Sequence, residues 1–245
     1  MSYYSGKQAK FYDIIHSEKK YDIEIQFLIN LYENFLSKTP KSVLDVGCGT
    51  GSHTIRFAER NYNILGIDIS NDMIQFAKKK HTNKNLEFIN CGISNVNRKF
   101  DLSYSLFNVI NHILKFEDLI SFFKGIKSTL NKDGLYVFDC YNGIATILDN
   151  PRDRVKERHI GSDKIVIKTK CDYNDFEETL VLNNVVKYKK KIIEYSIKHR
   201  IWKPESLKDI MNYVGLELIK IYKSFDLNAV VKKEDYKIVF ACKLK

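Results

Sequence analysis

The segment Val43–Ser70 reads VLDVGCGTGSHTIRFAERNYNILGIDIS and decides the fold. It holds an apolar run, a loop with Gly47, Gly49 and Gly51, a helix-like stretch, and a second apolar run that ends at Asp68. A strand followed by a glycine-rich loop and a helix start brings backbone N–H groups close to a polar or anionic ligand. The sequence therefore predicts a ligand site at this loop.

The glycine spacing narrows the kind of ligand. The motif is G-x-G-x-G, whereas a dinucleotide-binding loop has its third glycine one place later. A P-loop needs Gly-Lys-Ser or Gly-Lys-Thr, and this chain has Gly51-Ser52-His53 instead. The loop with Asp45 before it favours an uncharged nucleoside next to a zwitterion.

Asp68 is the second half of this predicted site. It ends the second apolar run, where a carboxylate is placed to accept hydrogen bonds from both ribose hydroxyls. The alternative is that Asp68 caps the following helix, but Ser70 is better placed for that role.

Strand-like and helix-like segments alternate along the first half of the chain. Predicted strands are Ser42–Val46, Asn63–Ile67, Leu86–Asn90, Phe100–Leu106 and Leu135–Cys140, the last after a turn at Asn131–Gly134; predicted helices include Tyr21–Leu36, Ser52–Arg60, Asn71–Lys80 and Glu117–Leu130. This alternation predicts an α/β fold: a Rossmann-like, doubly wound, mostly parallel sheet of seven strands. Leu216–Lys223 and Tyr236–Lys243 supply the last two strands.

The alternation of strand-like and helix-like segments stops after the fifth strand. Residues Lys164–Trp202 contain three strand-like runs with few helix signals, which predicts an antiparallel β insertion. Between Pro151 and Lys203 there are 14 Lys and Arg against 8 Asp and Glu. We expect an N-terminal helical lid over residues 1–39, a ligand-binding core over 40–150 and 203–245, and an insertion over 151–202 that contributes to acceptor binding.

Four motifs together resemble class I S-adenosylmethionine-dependent methyltransferases over nearly the whole chain. They are LDVGCGTG, GIDIS, FDLSYSLFNVINHI and LNKDGLYVFD. The N-terminal FYDIIHSEKKYDIE is similar to the start of small-molecule methyltransferases, especially the N-methyltransferases of nucleotide-linked amino sugars. The resemblance implies S-adenosylmethionine as the cofactor and methyl transfer to oxygen or nitrogen of a small polar acceptor, such as a nucleotide-linked sugar or surface-glycan precursor.

The resemblance also implies individual site residues. It makes His112 the residue at the methyl-transfer point, with Tyr12 as a second catalytic candidate near the methionine end of the cofactor. The implied cofactor-binding residues are Tyr12, Tyr21, Asp45, Gly47, Gly49, Gly51, Asp68, Ile69, Met73, Ile93 and Leu106. Relatives usually carry an aspartate after the third strand for the adenine amino group, but this chain has Cys91-Gly92. Adenine would then be held by backbone near Ile93, or by Asn90 or Asn95.

The chemistry of methyl transfer supports a histidine base. A hydroxyl or protonated amine must lose a proton to offer a lone pair, and an imidazole titrates near neutral pH. The alternative for His112 is a loop residue with a satisfied hydrogen bond, and a surface position is favoured for His53. Residues expected to bind the acceptor are Asn111, Tyr141, Asn142, Arg200 and Trp202. The alternative for Arg200 is an exposed charge on a strand, and the alternative for Trp202 is packing in the core.

Composition limits the remaining function classes. Five cysteines without a C-x-x-C pair indicate reduced thiols and a cytoplasmic protein, and argue against structural zinc. We expect no signal peptide, no membrane insertion and no catalytic metal; homodimer formation is left open. The net charge of +10 suggests nucleic acid, but it is scattered and no nucleic-acid module accompanies it. A nucleic-acid (RNA) methyltransferase and a non-catalytic cofactor-binding module remain the alternatives to a small-molecule methyltransferase without a stable nucleic-acid complex.

Overall fold

The computed structural model describes residues 6–245, with side chains except those of residues 6–10 and 160. The helices are α1 Gly6–Ile15, α2 Tyr21–Leu36, α3 Ser52–Glu59, α4 Asn71–Lys80, α5 Phe116–Thr129, α6 Gly143–Leu148 and α7 Pro204–Val214. The strands are β1 Ser42–Val46, β2 Asn63–Asp68, β3 Leu86–Asn90, β4 Phe100–Ser105, β5 Leu130–Tyr141, β6 Arg154–Ile160, β7 Asp163–Asn174, β8 Thr179–Tyr188, β9 Lys191–Arg200, β10 Leu216–Lys223 and β11 Lys237–Leu244.

The main sheet has seven strands in the order β10-β11-β5-β4-β1-β2-β3. Pairing is parallel from β5 to β3, and β11 runs antiparallel to both β5 and β10. This confirms the predicted mostly parallel, doubly wound sheet. The chain winds outward from β1 to β3 and then returns to β4 beside β1, so the switch point of the sheet lies between β1 and β4. Ligands bind at such a point, outside the carboxyl ends of the strands.

Two apolar cores cover the two faces of this sheet. On one face, α5 and α7 pack through Phe123 and Met211, both fully buried. On the other face, α2 and α3 pack through Leu28 and Phe57, which are also fully buried. Because both faces are covered, β1, β4 and the part of β5 after Gly134 are buried almost without interruption.

A second sheet follows β5 and is antiparallel throughout, in the order β6-β7-β8-β9. It has four strands where the sequence predicted three, because β6 was missed. The predicted start of β5 at Leu135 was also wrong, since the strand begins at Leu130. Leu130 pairs with Phe100 and Leu135 with Leu102, so residues 131–134 form an irregular insertion between these two pairs.

Candidate active site

The glycine loop, residues 47–51, connects β1 to α3 in a left-handed conformation. Gly47, Gly49 and Gly51 have φ angles of +79°, +55° and +77°. The amides of Gly47 and Cys48 both donate to the carbonyl of Ile67, at 2.8 and 2.9 Å, which ties the loop to the end of β2. Side chains with a Cβ rarely adopt such φ angles, so the loop depends on glycine at these three positions.

The space around the three glycines differs. A Cβ at Gly47 would lie 2.7 Å from Val109, and a Cβ at Gly51 would lie 2.5 Å from Phe88. These two glycines are needed for packing inside the protein. A Cβ at Gly49 meets nothing within 4 Å. Gly49 therefore leaves open space at the surface of the loop where a ligand can approach the backbone.

Asp68 faces the same space from the end of β2. Its Oδ2 accepts a hydrogen bond from the Gly49 amide at 2.9 Å, and its Oδ1 accepts one from the Ser70 amide at 2.8 Å. Burial raises the pKa of this carboxyl, and the two amides oppose that shift. A carboxylate has about four lone-pair positions, so two remain for a pair of hydroxyl donors. The Ser70 hydroxyl accepts from the Met73 amide at 3.4 Å, which confirms Ser70 as the cap of α4.

The glycine-loop pocket is built around these groups. Seven of the residues predicted for the cofactor lie in its wall: Tyr12, Gly47, Gly49, Asp68, Ile69, Met73 and Leu106. His112 lines the pocket as well, as do Ser70, Phe107 and Val109, which sequence reasoning missed. Ile69 is 73% exposed although it is apolar. An exposed isoleucine at the rim of a pocket is suited to cover an apolar ring of a ligand.

An adjoining pocket continues from Asp68 and Ile69 toward α5. Its wall contains Cys91, Gly92, Ile93 and Ser94 after β3, and Asp118, Ser121 and Phe122 from α5. The side-chain Nδ2 of Asn90 donates to the backbone carbonyl of Asp68 at 2.8 Å, and Asn90 does not line this pocket. Asn95 is exposed outside it. The groups around Ile93 line this pocket, and α5 adds a carboxylate, that of Asp118, which the sequence did not indicate.

Three residues predicted for the cofactor lie behind the pocket wall rather than in it: Asp45, Gly51 and Tyr21. Asp45 is buried and accepts a hydrogen bond from the Thr54 hydroxyl at 2.7 Å, so it connects β1 to α3. Burial raises its pKa to about 7. Tyr21 packs edge-on against His53 with ring centroids 4.8 Å apart.

His53 is buried, so the predicted surface position was wrong. Its Nε2 lies 2.7 Å from a carboxylate oxygen of Glu24, which in turn pairs with Lys19. Burial lowers the pKa of His53 despite this carboxylate. The buried group belongs to the contact between α2 and α3 and does not line either pocket.

A second cavity of ≈ 820 Å³, including its open mouth, lies between the carboxyl edge of the main sheet and the inner face of the second sheet. His112 and Phe107 line it, as they line the glycine-loop pocket. The second sheet contributes Arg154, Lys156, Ile167, Thr169, Leu182, Asn184, Tyr195, Ile197 and His199, and the remaining wall is Ile15, His16, Asn108 and Tyr141. The two spaces therefore meet at the His112 side chain.

His112 ends a short 3₁₀ turn, Val109–His112, that follows β4. Burial lowers its pKa to about 4, so the imidazole is neutral at physiological pH. The ring packs edge-on against His199 of β9 with centroids 4.5 Å apart. A neutral imidazole in this position has a lone pair for a proton without prior deprotonation.

Of the five residues predicted to bind the acceptor, only Tyr141 lines the second cavity. Asn142 is buried and caps α6 by accepting from the Ile144 amide at 3.1 Å. Trp202 packs in the core under α7. Arg200 pairs with Glu178 at 3.0 Å, and Asn111 is fully buried between β5 and β9. These four side chains are occupied by contacts within the protein, which spacing along the sequence did not reveal.

The loop after β4 holds a strained backbone at the junction of the two spaces. Phe107 and Asn108 have φ angles of +75° and +63°, in the left-handed region that side chains seldom adopt. The Asn108 amide donates to Asp139 Oδ1 at 2.7 Å, and Lys237 pairs with Asp139 Oδ2 at 2.6 Å. This buried carboxylate therefore holds the backbone of Asn108 beside the Phe107 ring, which lines both cavities.

The arrangement as a whole defines a class of protein. A doubly wound sheet with a left-handed glycine loop at its switch point, a carboxylate at the end of β2 and an antiparallel insertion after β5 is the architecture of class I S-adenosylmethionine-dependent methyltransferases. Residues 43–134 match a protein-family model described as "Methyltransferase domain". Residues 43–134 are therefore similar to this domain family, and the described residues share the fold of these methyltransferases.

Individual relatives agree with this assignment. The chain is 28% identical over 138 residues to dTDP-3-amino-3,6-dideoxy-alpha-D-glucopyranose N,N-dimethyltransferase of Streptomyces fradiae, across 56% of this chain and 54% of that protein. The chain thus spans about half the length of this and other curated methyltransferases that it matches.

Solved structures share the fold along the whole chain. A S-adenosylmethionine-dependent methyltransferase from Clostridium acetobutylicum superposes with a TM-score of 0.83 at 21% identity, over 97% of this chain and 98% of that one. CalS10, an amino pentose methyltransferase from Micromonospora echinaspora solved with S-adenosylmethionine bound, has a TM-score of 0.73 at 14% identity, over 98% of both chains.

Within residues 6–245, no group of three or more His, Cys, Asp or Glu side chains is arranged to hold a metal ion. None of the helices in this part of the chain is both long and apolar enough to span a membrane.

Proposed function

We propose that this chain transfers a methyl group from S-adenosylmethionine to oxygen or nitrogen of a small polar acceptor that carries phosphate, such as a nucleotide-linked sugar. The observation that carries the proposal is the shared wall: His112 and Phe107 line both the glycine-loop pocket and the second cavity. Two ligands bound side by side would meet at the His112 imidazole.

The glycine-loop pocket fits the cofactor. Asp68 has lone pairs left for the ribose hydroxyls, Gly49 leaves room against the loop backbone, and Ile69 is exposed where adenine would lie. When bound, S-adenosylmethionine supplies an activated methyl group on a positively charged sulfur. Asp118 and Ser121 of α5 offer polar groups for the adenine amino group, in place of the aspartate that this chain lacks after β3.

The protein's own contribution is alignment, water exclusion and removal of a proton. Holding two reactants in line contributes roughly 7–11 kcal/mol to lowering the barrier. Tyr12 of α1 and Phe107 lie over the pocket, with ring centroids 6.1 Å apart. The neutral His112 takes the proton that the acceptor loses, because its lone pair is free of a proton at pH 7.

Two cations on β6 support an acceptor that carries phosphate. Arg154 and Lys156 alternate on the strand and both line the second cavity. The next residue on that face, Arg158, pairs with Glu18 at 2.8 Å, whereas neither Arg154 nor Lys156 forms a salt bridge among the described residues. An arginine and a lysine without carboxylate partners are suited to bind the oxygens of a phosphate.

The proposal also assigns a role to each segment of the chain. Residues 1–39 act as a lid, of which residues 1–5 lie outside the described part; residues 40–150 and 203–245 bind the cofactor; and residues 151–202 bind the acceptor. The second sheet supports this role, since nine of its side chains line the cavity. The dimethyltransferase of Streptomyces fradiae and the amino pentose methyltransferase of Micromonospora echinaspora support a sugar acceptor by their names.

The test is mass spectrometry of products made from methyl-labelled S-adenosylmethionine. The acceptors are nucleotide-linked amino sugars, other phosphorylated metabolites, the small-molecule fraction of a cell extract, and total RNA. Label in a phosphorylated small molecule is expected, and Arg154→Ala with Lys156→Ala should raise KM for it at least tenfold. Lys168→Ala is the matched control, because Lys168 is exposed on the outer face of the same sheet. Label in RNA alone would establish the nucleic-acid alternative. The absence of label from every fraction would favour the non-catalytic cofactor-binding module.

A further inference from the structure

His199 is a buried histidine whose two ring nitrogens have no hydrogen-bond partner among the described residues. The side chain is 4% exposed and lies on β9 in the wall of the second cavity. A neutral imidazole has one N–H donor and one lone-pair acceptor, and buried polar groups of this kind are nearly always satisfied in folded proteins. The unpaired nitrogens therefore indicate a ligand that fills the cavity and hydrogen-bonds to His199.

The position of His199 relative to His112 is fixed by the protein. The two rings meet edge to face at 4.5 Å between centroids, with an interplanar angle of 78°. Asn111 precedes His112 and joins the surrounding elements: its Nδ2 donates to the carbonyl of Arg200 at 2.8 Å, and its Oδ1 accepts from the Tyr141 amide at 3.1 Å. Because Arg200 follows His199 directly, this buried amide holds the His112 turn against the end of β9.

We propose that His199 contacts the acceptor beside His112 and that the two imidazoles receive the acceptor's proton as a pair. This inference rests on the proposed function and adds a residue to it. The acceptor's lone pair forms the bond to the methyl carbon, the carbon–sulfur bond breaks with its electrons on sulfur, and the proton leaves the acceptor for an imidazole nitrogen. At this separation two imidazolium charges repel each other, so the pair holds one proton at a time.

The surroundings keep both rings neutral before the reaction. Burial lowers the pKa of each, and the neighbouring His112 lowers that of His199 further. The titratable and charged groups that face this part of the cavity from the packed elements are His16 of α1, Tyr141 of β5, Arg154 and Lys156 of β6, and Tyr195 of β9. This set contains no carboxylate among the described residues. Asp68 and Asp118 share pocket walls with His112 on the cofactor side only, so no carboxylate lines the acceptor side of the pair.

The first measurement needs no acceptor. Nitrogen-15 NMR of the histidine side chains in the intact protein, from about pH 4 to pH 8, should show His199 neutral throughout and His112 charged only at the acid end. Replacement of the other ring, His112→Phe, should move the His199 titration to higher pH. Titration of both rings near the ordinary value of 6.5, unaffected by loss of the other, would overturn the pair.

The second measurement is methyl transfer to the small-molecule fraction of a cell extract. His199→Phe should lower the initial rate at least tenfold while the calorimetric Kd for S-adenosylmethionine stays within twofold. His199→Gln keeps hydrogen-bonding capacity without taking a proton, so it should recover KM but not kcat. His159→Phe is the control, since His159 is exposed on β6 and lines neither pocket.

The outcomes separate the inference from the proposed function. Wild-type turnover that neither His199 variant reduces would contradict the inference and leave the methyltransferase assignment intact. If the wild-type protein binds S-adenosylmethionine but labels nothing in the extract, the small-acceptor proposal fails. The NMR titration then decides on its own whether the two histidines form a pair.

Discussion

Asp68 shows how one side chain organises a binding site at the residue scale. One carboxylate oxygen receives the Gly49 amide and the other receives the Ser70 amide, so the glycine loop and the start of α4 are held by the same group. Its remaining lone pairs face the glycine-loop pocket. The sequence predicted the residue from its place after β2, but the two backbone contacts required the structure.

Replacement of Asp68 should weaken cofactor binding strongly. Loss of two hydrogen bonds to a carboxylate at about 1.5–3 kcal/mol each predicts a rise of at least 100-fold in the Kd for S-adenosylmethionine in Asp68→Ala. Asp68→Asn retains one acceptor oxygen, so its Kd for S-adenosylmethionine should lie between those of the wild type and Asp68→Ala. Isothermal calorimetry measures both, with Asp72→Ala on the exposed side of α4 as the control. Unchanged affinity in a folded Asp68→Ala protein would exclude ribose binding by this carboxylate.

His112 should give the reaction an unusual pH dependence. Its pKa is lowered to about 4 by burial, so the base is lost only when the pH falls through that value rather than through 6.5. The ratio of wild-type to His112→Asn rate constants should therefore be constant from about pH 6 to about pH 8, at roughly 10²–10⁴. Single-turnover rates on one acceptor measure this ratio, in which titration of the acceptor cancels. A ratio that falls by half near pH 6.5 would show an exposed, ordinary imidazole.

At the same scale, spacing along the chain did not distinguish ligand-facing side chains from buried ones. Arg200 was expected to bind the acceptor, but it is the last residue of β9 and its guanidinium pairs with Glu178 at 3.0 Å. Asn111 was also expected at the acceptor, and it instead joins three backbone segments. Which neighbour satisfies a polar group is a long-range property, and single-sequence patterns do not contain it.

At the scale of elements, α1 lies against the glycine loop, because Asp13 accepts a hydrogen bond from the Thr50 hydroxyl at 2.5 Å. Asp13 of α1 forms a salt bridge with Lys80 at the end of α4, with 2.7 Å between Oδ2 and Nζ. Tyr12, on the same helix, lines the glycine-loop pocket. The position of this one short helix therefore connects the salt bridge at α4 with the wall of the glycine-loop pocket, as the proposed lid requires.

Removal of the salt bridge should weaken cofactor binding modestly. The pair is partly exposed, and such pairs contribute about 0–1 kcal/mol, so Lys80→Ala should raise the Kd for S-adenosylmethionine by about two- to fivefold. Limited proteolysis should cut near α1 faster in this variant, and cofactor should slow the cut in both proteins. Lys79→Ala is the matched control, because Lys79 is exposed next to Lys80 without a salt bridge among the described residues. Equal cleavage with and without cofactor would argue against a lid.

The elements that bury an apolar stripe were predictable, and those that line a cavity were not. The helices Tyr21–Leu36 and Asn71–Lys80 begin and end where the apolar spacing and the cap residues predict. β6 was missed because its inner face carries Arg154, Lys156 and Arg158 in place of apolar residues. A strand whose inner face lines a polar cavity lacks the alternation by which strands are recognised.

At the scale of the whole molecule, the net charge of +10 is distributed rather than concentrated. In the second sheet, Lys164, Lys189 and Lys198 pair with acidic neighbours at 2.7, 2.8 and 2.7 Å. Arg154 and Lys156, for which the described part of the chain provides no salt bridge, line the cavity instead of an outer stripe. A nucleic-acid surface normally presents a continuous track of cations to successive phosphates, and this arrangement suits one or two phosphates of a small ligand.

The charge distribution predicts weak nucleic-acid binding that disappears with salt. Scattered cations on the protein would displace only a few of the counterions condensed on a nucleic acid. Log Kobs should therefore fall linearly with log salt concentration, with a shallow slope set by the number of counterions displaced. Fluorescence anisotropy with a labelled RNA and a labelled DNA of unrelated sequence, from about 50 to about 200 mM salt, measures this slope. The expected result is the same weak affinity for both, with little binding left at the higher salt. Arg154 and Lys156 line the wall of the cavity, whereas Lys189, Lys190 and Lys191 lie together at the outer turn between β8 and β9, so replacement of the two cavity cations by Ala should change the slope by less than replacement of the three lysines. Affinity that depends on sequence and persists at the higher salt would mean that the cations form a track, and it would favour a polymer as the methyl acceptor.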